Sequence, residues 1–154
     1  MIEYSKIKIA LEYIEAAIEE RELHHRYFAA MNLAAVAEEL LGKIIRVAGK
    51  TDQFTQAVDT LTEVQKFTSK HLGWPEQSRK DLKKILGSTK NSIKHMDSIF
   101  DQNAKLYFNV EDESKWLIQA AIRNLDILKI YHSVTVKTFV EKYNVSSPEQ
   151  DEYQ

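Results

Sequence analysis

The sequence predicts an all-α protein, an up-and-down bundle of about five helices with a loop near residue 100. Three observations carry this. The 154 residues include only four glycines and two prolines, too few for a many-turned β protein. Apolar residues recur at helical spacing along most of the chain. One segment is apolar on most of its circumference, as a helix in the middle of a bundle must be. The length suits one domain, taken as residues 1–145, followed by a polar tail, 146–154. A domain this size buries roughly 68–70% of its unfolded surface, enough to hold a core without staples.

The first helix is expected from about Ser5 to Arg21, with Ile7, Ala10, Leu11, Ile14, Ala17 and Ile18 on one side and Glu12, Glu15 and Glu19 between them. "RELHHR" should break or bend it. The second runs from about His24 to Ala48, with Gly49 at the position where a helix-ending glycine belongs. It carries two apolar stripes, Tyr27–Met31–Ala34–Leu41–Ile45 and Leu33–Ala37–Leu40–Ile44–Val47, and its alanines would let neighbours approach closely.

A third helix covers about Asp52 to Lys70, with Phe54, Val58, Leu61, Val64 and Phe67 as its stripe, and "GWP" turns the chain after it. The fourth runs from about Glu76 to Met96 on Leu82, Ile85, Leu86, Ile93 and Met96. "DSIFDQNAKLYFNV" has no helical period and reads as a loop. A single last helix is expected from Glu111, where acids suit an N-terminus, through Trp116, Ile127, Leu128, Tyr131 and Phe139 to about Tyr143. Asn124 interrupts its apolar face and should make a structural hydrogen bond in the core.

Composition also excludes function classes. There is no cysteine, so neither disulfides nor thiolate metal sites can form. No signal-like segment or 20-residue apolar run occurs, and a soluble, cytoplasmic protein without membrane contact is the expectation. His24 and His25 are adjacent and point about 100° apart on a helix, a poor metal pair. No metal site and no cofactor is expected, and no phosphate-cradling glycine loop is present.

The net charge is −2, which by itself predicts no nucleic-acid binding, but the distribution is uneven. Between Arg79 and Met96 six basic residues, Arg79, Lys80, Lys83, Lys84, Lys90 and Lys94, stand against one acid, Asp81. Such a patch could attract a phosphate, although from charge alone a solvated lysine face is the commoner case. On this helix Lys84, Ser88, Asn91 and His95 fall at i, i+4, i+7 and i+11 and share a side. Ser88 and Asn91 are small and uncharged where solvated faces carry Glu and Lys. Gly87 costs about 1 kcal/mol against alanine inside a helix and could mark a close approach. His95 could also simply cap the last turn, where a cation suits the dipole. Glu38 lies on the second helix's apolar stripe. If buried it needs a partner, and a lysine or histidine from the fourth helix could supply one; at the stripe's edge it would reach solvent instead.

Lys90-Asn91-Ser92-Ile93-Lys94-His95 resembles the signature of the HEPN superfamily of small helical bundles: an arginine, a polar residue, three further residues and a histidine, near the end of a late helix. "YFAAMNLAAVAEELLGKI" resembles the alanine-rich second helix of uncharacterised bacterial members, and "AAIRNLDILKIY" their final helix. The resemblance spans roughly residues 5–143. It departs in two places. Lys90 stands where the signature has arginine and lacks the bidentate fork that suits a phosphate. Asp97 stands where some HEPN toxins carry a tyrosine that a partner enzyme modifies.

The resemblance implies a metal-independent ribonuclease of toxin or defence type. His95 would act as general base on a ribose 2′-OH, leaving a 2′,3′-cyclic phosphate. Lys90 would stabilise the phosphoryl oxygens, and Asn91 would orient the imidazole or the phosphate. Lys94, Lys83 and Lys84, beside Ser88, would hold the RNA backbone, and Glu38 would support the site. Lys90 and His95 lie about 140° apart on an ideal helix, so a homodimer with the fourth helices near its axis is expected, with an antitoxin-like protein as a further partner. Two other readings stand beside this one: a non-catalytic HEPN-like module binding nucleotide, RNA or protein, and a helical scaffold.

Overall fold

The computed structural model describes residues 5–93 and 108–145. These form six helices in chain order, with no strand among the described residues: α1 (Lys6–Glu22), α2 (Tyr27–Val47), α3 (Gln53–Leu72), α4 (Arg79–Ser92), α5 (Val110–Ile127) and α6 (Val134–Tyr143). The protein is an all-α helical bundle, and none of its described helices is long and apolar enough to cross a membrane.

Each start has a side-chain cap where the sequence offers one. The hydroxyl of Ser5 accepts from the Lys8 N–H at 3.1 Å, and the carboxylate of Asp52 accepts from the Thr55 N–H at 2.8 Å. The Ser78 hydroxyl accepts from the Asp81 N–H at 3.1 Å, which starts α4 three residues after the expected Glu76. Asn109 accepts from the N–H groups of Glu111 and Asp112, and Glu111, Asp112 and Glu113 put negative charge at the positive end of α5. "LHH" does separate α1 from α2. His25 takes a left-handed φ of 54° and turns the chain into Tyr27.

α2 is the central helix, packed between α1 and α5. Ala30, Met31, Ala34, Ala35, Ala37, Leu41 and Ile45 are completely buried in it. Of these, Met31, Ala34, Ala35, Ala37 and Leu41 share one core with Ala10, Ile14 and Ala17 of α1 and with Leu117, Ile118, Ala121, Ile122 and Leu125 of α5. Small side chains shorten the interaxial distance, so two helices can lie against α2 at once. α3 and α4 pair with one another at the edge of this core. α3 buries only Val58, and α4 only Leu82 and Gly87.

The single long last helix expected from Glu111 to Tyr143 is two helices. α5 ends at Ile127, where Lys129 adopts a left-handed φ of 56°. The Ile130 N–H reaches back to the Leu125 carbonyl at 3.0 Å, and the Lys129 N–H to that of Asp126 at 2.9 Å, which satisfies carbonyls left free at the helix end. Ser133 then caps α6. The turn brings Val136 and Phe139 into the core beside α1 and leaves Tyr131, expected on an apolar stripe, 94% exposed. A straight helix would have carried Phe139 away from α1. The expected end of the fourth helix at Met96, most of the loop before Phe108 and the polar tail 146–154 lie outside the described residues.

Lysine at a left-handed position is strained through its Cβ. Lys129→Gly should therefore raise stability by about 0.5–1 kcal/mol, the strain relief exceeding the added chain entropy. Urea unfolding followed by circular dichroism measures it; an unchanged or lower midpoint would mean that Lys129 is unstrained at this turn.

Candidate functional site

The fourth-helix lysine that the motif singles out points inward. Lys90 Nζ donates to Glu38 Oε2 at 2.8 Å, with the two side chains 16% and 5% exposed. The ammonium also lies 4.9 Å from the centroid of the Phe54 ring, so an aromatic face of α3 covers part of it. Glu38 is on α2, and its placement on the apolar stripe makes this pairing necessary: a buried carboxylate without a partner would cost several kcal/mol.

The same place joins α5 and α3. Asn124, fully buried, donates through Nδ2 to the Glu38 carbonyl at 3.2 Å and accepts from the Gln53 N–H at 2.9 Å. Its expected structural hydrogen bond is thus two, spanning three helices. Beside it, Asp52 is completely buried and holds Arg46 as well as the Thr55 N–H. Burial opposes charge on Asp52, but these hydrogen bonds outweigh it and keep the carboxyl below its ordinary range. Gly42 passes close to this pair: a Cβ there would stand 3.2 Å from the Arg46 guanidinium.

The remaining candidates divide by face. Lys83, Lys84, Ser88 and Asn91 are exposed. Lys84, Ser88 and Asn91 share a side as their spacing requires, and the Ser88 hydroxyl is spent on the Ile85 carbonyl at 2.7 Å. Gly87 is buried against Phe54, although at 3.6 Å a methyl group would make only ordinary contact. The approach expected at Gly87 therefore comes from α3. His95 and Lys94 lie outside the described residues. Among the described residues no group of His, Asp and Glu is disposed to hold a metal.

A second polar cluster was not expected. Arg21, 9% exposed, donates from Nε to the Ser114 hydroxyl at 3.2 Å and from its terminal nitrogens to the Tyr143 hydroxyl at 2.7 Å and the Glu111 carbonyl at 3.3 Å. Glu22 takes Arg21, Lys142 and the Tyr143 hydroxyl. Burial opposes its charge, yet hydrogen bonds from Lys142, Tyr143 and Arg21 hold the carboxyl below its ordinary value. One signal was legible. Arg21 continues the buried series Ala10, Ile14, Ala17 at i+3 and i+4, so an arginine stood where the core face required a partner.

Compared with known proteins, the chain matches no protein-family model, no curated protein and no solved structure.

Lys90→Met should cost about 3–5 kcal/mol, since it strands the Glu38 carboxylate. Adding Glu38→Leu should recover at least about 1 kcal/mol of that loss. A double variant as unstable as the two single losses added together would show that the pair is not coupled. Glu22 has a folded-state pKa below its unfolded one, so its stabilisation is present above pH about 4.3 and fades as the pH falls through the lower folded value. Glu22→Gln should therefore lower stability at neutral pH and flatten the acid limb of stability below pH about 4.3. Chemical denaturation between neutral and acid pH would reveal parallel limbs if this is wrong.

Proposed function

We propose that this chain is a non-catalytic HEPN-like module that binds RNA through its phosphate backbone along the exposed side of α4. The Glu38–Lys90 ion pair carries this choice between the readings. Stabilising charge on a phosphoryl group needs a cation preorganised and free to face it. Lys90 is turned to a carboxylate at 2.8 Å, and the pair presents little net charge outward. Lys80, Lys83 and Lys84 are exposed and have no acidic partner among the described residues, so they can follow a phosphate chain without reading bases. Asn91, exposed on the same helix, adds an uncharged donor and acceptor.

The ribonuclease reading, with His95 as general base and Lys90 and Asn91 beside it, has one observation in its favour. Asn91 lies on the side of α4 that carries Lys84, where a backbone held by the lysines would pass. It requires Lys90 to leave Glu38 when substrate arrives.

Fluorescence anisotropy with a short single-stranded RNA tests the proposal. Neutralising about three phosphates predicts a slope of log K against log salt near −2. Lys84→Ala should make that slope shallower by about 0.7. The RNA should stay intact with EDTA present, for wild type and for His95→Ala alike. Cleavage to cyclic phosphate ends that His95→Ala abolishes would replace the module by the nuclease. Salt-independent or absent binding would reduce the lysines to a solvated face.

A further inference from the structure

α1 and α6 are tied together where Glu22 takes Lys142 and the Tyr143 hydroxyl. Beside this tie the two helices leave a groove of about 640 Å³, within the roughly 300–1,000 Å³ of clefts that hold small molecules. Its floor is apolar, made by Ile18 and Phe139, which belong to the core. Leu23 and Val134 flank it and are 68% and 81% exposed. The Thr138 hydroxyl, also in the lining, turns back to the Val134 carbonyl at 3.0 Å and needs no partner in the groove. A ligand lying here would cover the floor and both flanking side chains, and removing that apolar surface from water favours it.

The charges along the rim say what fits. Glu15, Glu19 and Glu22 of α1 line the groove, and Lys142 is the one cation in that lining. Glu22 is satisfied by Arg21 and Lys142. Glu15 has no cationic partner among the described residues, and Glu19 has only the His24 ring, 3.9 Å away and beyond hydrogen-bond reach. Two carboxylates thus stand over an apolar floor. Four residues apart on a helix, their Cβ atoms are about 5–6 Å from one another, the separation that three or four methylenes put between two ammonium groups. From Glu15 to Leu23 the groove follows α1 for about 12 Å, two turns. A docked helix of that length would cover far less than the about 800 Å² that each side of a standard protein interface buries, whereas a linear triamine spans it. The tail 146–154 has Glu149, Asp151 and Glu152 and no basic residue, so it lacks the charge to be the occupant. We infer that the groove between α1 and α6 binds a linear aliphatic polyamine. Two of its ammonium groups meet Glu15 and Glu19, and the methylenes between them lie on Ile18, Phe139 and Val134, as the stem of a lysine lies on apolar surface. This inference does not rest on the RNA reading.

Isothermal titration calorimetry of the full chain with spermidine, RNA being absent, should show one saturable site. Glu15→Gln combined with Glu19→Gln should weaken it at least about tenfold. Glu12→Gln combined with Glu141→Gln removes the same charge at exposed positions outside the groove and should change the affinity less than about twofold. Val134→Lys, at the exposed flank, should weaken binding by placing a like charge where the methylenes lie. Helicity by circular dichroism should be unaltered in all three variants. Putrescine should bind more tightly than magnesium ion, which carries the same charge and no methylenes. An absence of spermidine binding, an equal loss in the two double variants, or magnesium binding as tightly as putrescine would overturn the inference, the last two by reducing the groove to general attraction of counterions. Binding of a basic amphipathic peptide but not of spermidine would give the groove to a protein segment and overturn it as well.

Discussion

Burial of α2 between two helices, on all but the stripe through Phe28, Asn32, Val36 and Lys43, is the constraint on which the rest of this molecule depends. Ala30, Ala34, Ala35 and Ala37 set small side chains beside Met31, Leu41 and Ile45, so α1 and α5 can both lie close against it. Dense packing of this kind tolerates few voids, and each element added afterwards must fit the surfaces those three helices leave. α6 can reach α1 only because the chain turns at Lys129. α3 and α4 take the remaining edge and bury little of themselves.

That central position also explains why polar groups appear inside. Glu38 is held at the buried side of α2 by the helix it belongs to, so its charge had to be met there. Lys90 meets it from α4 and Asn124 braces the backbone beside it from α5. A neutralised pair of this type adds little net stability over an apolar pair of the same shape, but it is directional. It sets where along α2 the α4 helix rests, and so which of the α4 lysines remain in water. Arg21 and Glu22 act similarly at the other end, tying α1 to the start of α5 and the end of α6 through Ser114 and Tyr143.

Much of this was legible in advance, and the exceptions have physical causes. The burial of Ala10, Ile14 and Ala17, the central place of α2 and the position of Glu38 on its apolar stripe all follow from periodicity, because a helix face is a local property of spacing. The break between α5 and α6 was invisible for a local reason too: a lysine takes the left-handed cap that glycine usually supplies, and no proline follows. Phe67 was placed on the same stripe as Val58. The stripe drifts round the helix, however, and its far end leaves the core.

The sequence by itself determined the helical class, the starts of α1, α3 and α5 to within a residue, and the polar character of α4. These depend on residues within a few turns of one another. Only the tertiary structure decided that Lys90 faces Glu38, 52 residues away, while Lys83 and Lys84 face water. Equally, only it decided that Phe67, half a turn round α3 from the buried Val58, faces away from the bundle. Charge and apolarity are carried by each residue alone; which charge is paired and which apolar side chain is covered depends on the neighbour that packing supplies.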